Sequence, residues 1–343
     1  MTRLRVALET QFAIGRATGI GVFSRGLADA LRARGDVDVV EICDPRFDLW
    51  RFDRRVYWDH IRSPRLARAS HADVFHFTAG TLPWRPPRPA VLTLHDLVWL
   101  RGANRGKSYV RWYFGRLQPA FARHADAVVV DSDAARADVA DGLHVDPSRI
   151  RVAGVGVDER FLRVERRPAD PPFILAVGTV EERKDLATAV RALSRLPTAR
   201  LVSVGAATPY AREVRRVAGE LGVSGRVELR GYVGDGELLQ LYATAAALVF
   251  PSIYEGFGLP PLQALAAGVP VIAARIPVTE EVLGDCAWFV EPGDAAGIAA
   301  AVDEILGGGA EVEQRVERGR RRAREHSWSA VAARMAEIYR SVL

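Results

Sequence analysis

Residues 250–272 read FPSIYEGFGLPPLQALAAGVPVI, a stretch that combines the end of a strand, a glycine-rich loop and the start of a helix. The apolar run Ala247–Phe250 predicts a buried strand. Gly256 and Gly258 let the backbone approach a ligand closely, and the two prolines that follow favour a first helical turn. Because the free amides at a helix start bind anions, the sequence predicts a phosphate-binding loop that carries one acidic residue, Glu255.

Short apolar segments alternate with helical patterns along the whole chain. This alternation indicates an α/β protein whose parallel sheets are covered by helices on both faces. In the first half, the predicted strands are residues 3–8, 37–42, 74–77, 90–94 and 127–130. In the second half, they are residues 173–177, 200–204, 226–229, 247–250 and 269–273. Ligands of such sheets bind at the carboxyl ends of the strands, so the side chains that follow the strands are the candidate site residues.

The length of 343 residues and the hydrophobic content of 49% predict two globular domains. Charge and proline concentrate in residues 163–172, which we interpret as the linker between domains 1–165 and 166–327. A final amphipathic helix is expected over residues 330–343. Neither a signal peptide nor a membrane span is evident, so a cytoplasmic protein is expected. The cysteines, Cys43 and Cys286, lack ligand spacing and predict reduced thiols.

The net charge is +5, and only two of the 47 basic residues are lysines, Lys107 and Lys184. Two segments mix arginines with aromatic residues, one from Arg46 to Arg68 and the other from Arg101 to Arg116. Such surfaces suit phosphates, an anionic membrane or a lipid diphosphate. They are equally compatible with helices whose aromatic residues belong to the core.

Several residues after strands suggest chemistry, each with a structural alternative. Arg183 and Lys184 suit a diphosphate, or form a solvated turn. His95 at a strand end is more often structural. The segment Asp131-Ser132-Asp133 mimics a metal-binding DxD, but we interpret Asp133 as a helix cap. The remaining two motifs are weaker, because Gly19-Ile20-Gly21 lacks the third glycine of a dinucleotide fingerprint and Asp235 is also explained as a helix cap.

Four segments resemble those of the retaining glycosyltransferases of family 4. Residues 255–272 resemble the signature EGFGLPxxEAxAxGxPVI, with Gln263 in place of its second glutamate. The run VGTVEERKDLATAVRAL resembles VGxxxxRKxxxxxxxA, LTLHDLVWL resembles a THD segment, and residues 18–31 resemble TGIGxxxxxLxxAL. The matches follow the family's order from Thr18 to Trp328. They imply a GT-B fold, in which two Rossmann-like domains face a central cleft and the helix 328–343 packs back on the N-terminal domain.

The resemblance also implies roles for individual residues. Arg183, Lys184 and the amides of residues 257–259 would hold the donor diphosphate, Glu255 the sugar hydroxyls and Gln263 the ribose. The implied catalytic residues are His95, which would lie beside the transferred sugar, with Arg183, Lys184 and Glu255. The implied donor-binding residues are Gly19, Gly21, Gly178, Thr179, Val233, Asp235, Gly256, Phe257, Gly258, Leu259 and Gln263. Among them Gly19 and Gly21 would belong to a mobile loop, and Val233 and Asp235 would lie beside a guanine base.

The function implied by the resemblance is a retaining hexosyltransferase of the bacterial mannosyltransferase type. A GDP-mannose-type donor is favoured, UDP- or dTDP-sugars are alternatives, and the acceptor is a hydroxyl of a glycan, lipid-linked or small molecule. Front-face substitution requires no cofactor and no metal. A nucleotide-sugar epimerase and a non-catalytic nucleotide-sugar-binding protein are the alternatives. Contact with the inner face of the plasma membrane is an option, and nucleic-acid binding is not expected.

Overall fold

The computed structural model describes residues 3–15, 19–47, 49, 51–100 and 108–343, and only the backbone of residues 108–111. The chain divides into two compact units. The N-terminal unit comprises Met1–Gly156 and His326–Leu343, and the C-terminal unit comprises Val157–Glu325. Each unit is built around a six-stranded parallel sheet, so the α/β fold with two Rossmann-like units is confirmed.

The sheet of the N-terminal unit has the strand order β2-β1-β3-β4-β5-β6, and every neighbouring pair is parallel. The strands are Leu4–Glu9 (β1), Val37–Ile42 (β2), Val74–Phe77 (β3), Ala90–Leu94 (β4), Ala127–Val130 (β5) and Ile150–Val152 (β6). All side chains of β3, β4 and β5 are buried. This burial explains why these strands read as continuous apolar runs rather than alternating patterns.

Five helices of the N-terminal unit precede β6 in the chain. They are Gly19–Arg34 (α1), Phe52–Tyr57 (α2), Ser63–Ala69 (α3), Ser108–His124 (α4) and Asp133–Leu143 (α5). A π-helical turn, Trp58–Arg62, joins α2 to α3. Helix α1 buries Phe23, Leu27 and Leu31 at helical spacing, which fixes the face that packs on the unit.

The sheet of the C-terminal unit has the order β12-β11-β10-β7-β8-β9, again with parallel neighbours. Its strands are Phe173–Val177 (β7), Arg200–Val204 (β8), Val227–Gly231 (β9), Ala247–Phe250 (β10), Val271–Ala274 (β11) and Trp288–Val290 (β12). The chain runs outward from β7 to β9 on one side and from β10 to β12 on the other. The strand order therefore reverses between β7 and β10, where ligands of doubly wound sheets bind.

Eight helices belong to the C-terminal unit. They are Glu159–Leu162 (α6), Leu186–Leu193 (α7), Ala211–Glu220 (α8), Asp235–Thr244 (α9), Leu259–Ala267 (α10), Pro277–Leu283 (α11), Ala295–Gly307 (α12) and Ala310–Glu325 (α13). Helix α7 buries seven of its eight residues, so it is a core element rather than a surface helix. Gly268 ends α10 with a positive φ of 71°, a conformation that glycine adopts without strain.

The last helix, Trp328–Ser341 (α14), belongs to the N-terminal unit and packs against α1. Its buried face includes Val331, Met335 and Tyr339. The Tyr339 hydroxyl lies 2.7 Å from Nδ1 of the buried His76 in β3. The ring of Trp328 lies where a Cβ atom on Gly26 would be, 2.2 Å from the nearest ring carbon. The small residue on α1 therefore lets the indole pack directly on the helix backbone.

The unit boundary differs from the predicted one. Residues 163–172 are not a linker, because their backbone is tied to the C-terminal unit. The Arg167 amide donates to the Ala243 carbonyl at 2.8 Å, and the Ala169 amide donates to the Thr244 carbonyl at 2.9 Å. The first crossing between the units lies at residues 156 and 157, and the second lies at residues 325 and 326.

The starts of two helices and two short strands also differ from the sequence-based prediction. The cap of α5 is Ser132, whose side chain accepts a hydrogen bond from the Ala135 amide, and Asp133 is the first residue of the helix. Asp235 is likewise the first residue of α9, which is preceded by Gly234. The strands β6 and β12 were not predicted, because three-residue strands carry too little pattern to be recognised.

Candidate active site

Two loops meet where the strand order of the C-terminal sheet reverses. One follows β7 and contains the short helical turn Glu182–Lys184, and the other follows β10 and leads to Glu255. The Ile253 amide donates to the Arg183 carbonyl at 2.9 Å, which joins the two loops through their backbones. The sheet topology thus brings together residues that are some 70 positions apart in the sequence.

Arg183, Lys184 and Glu255 form one ion cluster. The Arg183 guanidinium donates to Glu255 Oε2 at 2.8 Å and to the Tyr254 carbonyl at 3.1 Å, while Lys184 Nζ donates to Glu255 Oε1. The three side chains retain 14%, 15% and 9% of their exposure, so the cluster is mostly buried but reachable. Lys184 Nζ also lies 4.8 Å from the centre of the Phe250 ring, a cation–π contact.

Burial and charge act in opposite directions on these groups. Burial raises the pKa of Glu255, but the charges of Lys184 and Arg183 lower it by more, so the pKa lies below its usual value of 4.5. Burial lowers the pKa of Lys184 below its usual 10.5, although Glu255 opposes that effect. Glu181 also pairs with Arg183, at 2.8 Å, so the cluster joins two cations to two carboxylates. The two cations are the groups that suit an anionic ligand.

Gly178 and Thr179 line a pocket together with Lys184, Phe250 and Ser252. Gly178 has a φ of 139°, and a Cβ atom there would lie 3.5 Å from Lys184 Cε. Gly205, directly after β8, has a φ of 143°, and a Cβ atom there would lie 2.0 Å from the Gly178 carbonyl oxygen. The peptide bond between Gly178 and Thr179 can therefore lie this close to residue 205 only because that residue is a glycine without a Cβ atom.

The loop before α10 carries the predicted phosphate amides. Gly256, Phe257 and Gly258 are buried and Leu259 is half-buried. Gly258 has a φ of 99° and precedes the first helical residue, Leu259. The two prolines that follow have no N–H group, so the helix start offers fewer amides than an ordinary first turn. The amides of residues 257–259, those named from the sequence, lie directly before these prolines.

Gln263 lies on the buried side of α10, with 8% of its surface exposed. The hydroxyl of the fully buried Tyr242 is 3.3 Å from Gln263 Oε1 and 3.1 Å from the Pro260 carbonyl oxygen. Tyr242 was not named from the sequence, because its neighbouring apolar pattern is simply that of a core helix. Its hydroxyl orients the amide of Gln263, so that the Oε1 atom faces the tyrosine.

Val233 and Asp235 follow β9, the edge strand of the C-terminal sheet, and are half-buried and exposed respectively. Asp235 Oδ2 lies 3.2 Å from a guanidinium nitrogen of Arg160, which also pairs with Asp158. The Arg183 cluster instead follows the central strands β7 and β10. A role of Val233 and Asp235 beside a base therefore stays a prediction.

In the N-terminal unit, Gly19 and Gly21 are the first and third residues of α1 rather than part of a loop. A Cβ atom on Gly21 would lie 2.1 Å from the Phe12 carbonyl oxygen, whereas one on Gly19 would meet nothing within 4 Å. Gly21 is therefore required by the packing of α1 on the preceding segment. Thr18, which the family resemblance includes, lies outside the described residues.

His95 follows β4 and is held from two sides. Its Nδ1 atom lies 2.7 Å from Asp131 Oδ2, after β5, and its Nε2 atom lies 3.1 Å from the Thr78 carbonyl oxygen, after β3. The Phe23 ring of α1 packs edge-on at 4.8 Å. Both ring nitrogens already have protein partners, so a hydrogen bond from His95 to a sugar requires one of these contacts to open.

The two basic aromatic segments are divided between core and surface. Asp48, Trp50 and residues 101–107 lie outside the described residues. Trp58 and Tyr113 are buried, as the core alternative requires, whereas Trp112 is 60% exposed. In the part of the chain that the structure describes, no helix is long and apolar enough to cross a membrane.

The structure describes no group of three or more His, Cys, Asp or Glu side chains arranged for a metal ion, within the residues that could be searched. Cys43 and Cys286 are free thiols. The sequence analysis did not identify three groups that contact the candidate site residues. They are Gly205 beside Gly178, Tyr242 beside Gln263 and the Thr78 carbonyl beside His95. Their contacts depend on which loops become neighbours, which no local pattern indicates.

The two units, each built around a parallel six-stranded sheet, define a GT-B fold. Residues 17–161 match the family Glycosyltransferase Family 4, and residues 157–322 match Glycosyl transferases group 1. Both units therefore match glycosyltransferase domain families, in agreement with the sequence motifs.

Two curated relatives and one solved structure illustrate this similarity. The MMP alpha-(1->4)-mannosyltransferase of Mycolicibacterium hassiacum is 30% identical over 68% of this chain and 58% of its own length. O-antigen chain mannosyltransferase B of Escherichia coli is 27% identical over 82% of this chain and 78% of its own. Anabaena Alr3699/HepE in complex with UDP and glucose aligns with a TM-score of 0.75 at 17% identity, covering 99% and 100% of the two chains.

Proposed function

We propose that this protein is a retaining hexosyltransferase that transfers a sugar from a nucleotide-diphosphate donor to a hydroxyl acceptor. The observation that supports this proposal is the ion cluster of Arg183, Lys184 and Glu255 at the strand-order reversal of the C-terminal sheet. Ligands of doubly wound sheets bind at this place, and the guanidinium and ammonium groups of the cluster suit a diphosphate.

The two cations have complementary chemistry. Arg183 offers a planar fork of donors, and Lys184 offers a compact charge that Phe250 and Glu255 hold in place. With the amides of residues 257–259, they would bind the non-bridging oxygens of the diphosphate. As the bond to the sugar breaks, negative charge grows on the departing phosphate oxygen, and fixed cations stabilise that charge.

Glu255 would hold sugar hydroxyls. Its carboxylate stays ionised because its pKa is lowered, so it is an acceptor for hydroxyl groups. Gln263 would contact the ribose through the amide group that Tyr242 orients. Because glutamine lacks the charge of the glutamate in the family signature, we expect this contact to be weaker than a charged one.

The reaction would proceed by front-face substitution. The acceptor hydroxyl attacks the anomeric carbon from the side on which the nucleoside diphosphate leaves, and the departing phosphate oxygen takes the hydroxyl proton. The bond that forms joins the acceptor oxygen to the anomeric carbon, and the bond that breaks joins that carbon to phosphate. Configuration is therefore retained, and the protein's own part is to position the donor and stabilise charge.

Mannose is the favoured sugar, because both curated relatives described above are mannosyltransferases by name. One of them acts on O-antigen chains, which favours a role in polysaccharide biosynthesis and a glycan or lipid-linked acceptor. The base is less defined, since the solved structure named above contains UDP. Contact with an anionic membrane through the basic aromatic segments stays a prediction.

A thermal-shift screen tests the donor first. The protein would be heated with GDP-, UDP-, dTDP- and ADP-sugars, because a ligand that binds only the folded state raises the melting temperature. The donor that raises it most is then incubated with hydroxyl acceptors, and the product is analysed by proton NMR. We expect a new glycoside with the donor's anomeric configuration.

Three outcomes would count against the proposal. Inversion of the anomeric configuration would contradict the retaining mechanism. An isomerised nucleotide sugar formed without acceptor would identify an epimerase. Donor binding that yields no transfer to glycan, lipid-linked or small-molecule acceptors would favour a nucleotide-sugar-binding protein.

A further inference from the structure

Two neighbouring histidines of the N-terminal unit differ in the partners of their ring nitrogens. His76, in β3, contacts two hydroxyl groups, Tyr339 at 2.7 Å and Thr93 at 2.6 Å. His95, after β4, contacts the Asp131 carboxylate and the Thr78 carbonyl. A hydroxyl can donate or accept, so a neutral imidazole satisfies both contacts of His76.

Counting the protons that the two ring nitrogens must carry gives a different result for His95. A carbonyl oxygen can only accept, so Nε2 must carry a proton. An ionised carboxylate can also only accept, so Nδ1 must carry a second proton when Asp131 is charged. With both contacts formed and Asp131 ionised, His95 is therefore an imidazolium cation.

Burial strengthens this argument. Asp131 retains 4% of its side-chain exposure, and its second oxygen, Oδ1, has no hydrogen-bond partner among the described residues. Beside a neutral His95, the carboxylate would be a buried anion without a cation, which costs several kcal/mol. Beside an imidazolium, it is one half of a hydrogen-bonded ion pair.

Burial raises the pKa of Asp131, while the charge of His95 and its hydrogen bond oppose that shift. Burial works against the charged form of His95, while Asp131 first and then Asp96 and the Thr78 carbonyl favour it, and the pKa of His95 is raised above its usual 6.5. On β3, the neutral His76 has a pKa lowered to about 3 by burial and by His95. Glu9, the last residue of β1, accepts a hydrogen bond from the Thr78 amide at 3.2 Å.

We propose that Asp131 is a positioning residue that keeps His95 doubly protonated, so that the site contains a fixed imidazolium cation at the strand ends of the N-terminal unit. The inference rests on the proposed function for its catalytic meaning, because the family resemblance puts this histidine beside the transferred sugar. A cation there stabilises the negative charge of the departing diphosphate, and a neutral ring does so less. Asp131 acts only through His95.

The protonation state can be measured without any activity. Protein labelled with ¹⁵N-histidine would be titrated by NMR, with the His95 signals assigned by comparison with His95→Asn. In the wild type, we expect both ring nitrogens of His95 to be protonated at pH 7, with a pKa above 6.5, while His76 stays neutral in the same spectra. Asp131→Asn keeps an acceptor for Nδ1 but removes the charge, so we expect the pKa of His95 to fall by about 1 to 3 units.

Asp133→Asn is the matched control. Asp133 lies two residues further along the same segment, with its side chain 71% exposed, so this variant removes one charge nearby without touching the ring. We expect the His95 pKa to stay near its wild-type value in this variant. Thermal unfolding of each variant verifies that the fold is intact before the titrations are compared.

The result that would overturn the proposal is a neutral His95 at pH 7 in the wild type, or an unprotonated Nδ1 with the proton on Asp131. An equal pKa in the wild type and in Asp131→Asn would overturn it as well. Where transfer is detected, Asp131→Asn should lose activity on the alkaline side, by about tenfold for each pKa unit lost. If no transfer is found with any donor, the proposed function fails while the NMR result still decides the protonation state.

Discussion

The two units have the same kind of parallel sheet, yet the polar groups at their strand ends are arranged in opposite ways. In the C-terminal unit, the cations Arg183 and Lys184 pair with Glu181 and Glu255, and the cluster remains partly exposed. In the N-terminal unit, Glu9 and Asp131 are buried and hydrogen-bonded to Trp58 and His95 respectively. One sheet edge therefore offers charge to a ligand, and the other uses its charges to fix its own geometry.

This difference shows that the fold supplies the location and the loops supply the chemistry. Removing a charge from the C-terminal cluster should affect ligand binding and turnover more than stability. Removing a charge from the N-terminal network should affect stability and its pH dependence more than donor binding. The following changes test that division, beginning with the largest expected effect.

Lys184→Ala should lower kcat/KM with the donor sugar by about 100-fold or more, if the ammonium acts as a preorganised partner of the leaving group. Steady-state kinetics with the identified donor and acceptor measure this loss. Arg191→Ala, which removes an exposed cation from the adjacent helix α7, is the control and should change kcat/KM little. Activity of Lys184→Ala within a few-fold of the wild type would remove the central role of the cluster.

Gly205→Ala should destabilise the protein by roughly 2–4 kcal/mol and weaken donor binding. The added Cβ atom would lie 2.0 Å from the Gly178 carbonyl oxygen, so the loop that carries Lys184 must move. Thermal unfolding with and without donor measures both effects. In the control Gly309→Ala, φ is also positive, at 108°, but nothing lies within 4 Å, so only backbone strain is added. Equal melting temperatures for the two variants would show that the contact is unimportant.

Glu9→Gln should change how stability depends on pH. Burial raises the pKa of Glu9 to about 7 against Arg55, which lowers it. The folded protein then holds a proton that the unfolded chain has lost, so Glu9 makes the wild type less stable as pH rises from 4.5 to 7, by up to about 3 kcal/mol. Denaturant unfolding across this pH range should show that the variant lacks this loss.

Glu41→Gln is the comparison for that experiment. Hydrogen bonds from Thr10 and Arg32 lower the pKa of the half-buried Glu41 despite its burial. This carboxylate therefore stabilises the wild type above pH 4.5 and loses that effect as pH falls below 4.5. Its removal should change the dependence of stability on pH below 4.5, in the direction opposite to Glu9→Gln. If both glutamate variants change the pH dependence of the unfolding free energy in the same direction, the raised pKa assigned to Glu9 is contradicted.

Gln263→Glu should have the smallest effect, a gain in donor affinity of up to about tenfold. A carboxylate restores the charged acceptor of the family signature, which strengthens a hydrogen bond from a ribose hydroxyl. Tyr242→Phe, which removes the hydroxyl near Gln263 Oε1, separates the orienting contact from the charge. Unchanged or weaker binding by Gln263→Glu would contradict the ribose assignment.

Much of this arrangement could be predicted from the sequence. Long apolar runs such as Ala90–Leu94 and Phe173–Val177 identified the strands, because strands buried on both faces have continuous apolar sequences. The rule that ligands bind at strand ends then selected Arg183, Lys184 and Glu255, and the structure brings these three residues into contact. Local pattern and topology together were sufficient for this cluster.

Other features depend on contacts that no local pattern contains. Asp131 was considered only as part of a metal-binding DxD pattern, because its partner His95 is 36 residues away. Gly205 looks like an ordinary turn glycine until the Gly178 carbonyl is seen beside it. The linker was misplaced because a segment rich in charge and proline can still form backbone hydrogen bonds to its own unit, as the Arg167 and Ala169 amides do.

The most direct test of the central claim is calorimetric titration of the preferred nucleoside diphosphate into the wild type, Lys184→Ala and Glu9→Gln. If the C-terminal cluster holds the diphosphate, Lys184→Ala should bind at least tenfold more weakly than the wild type, and Glu9→Gln should bind within about twofold of it. Equal affinities for the wild type and Lys184→Ala would contradict the claim. So would a loss of affinity in Glu9→Gln as large as that in Lys184→Ala.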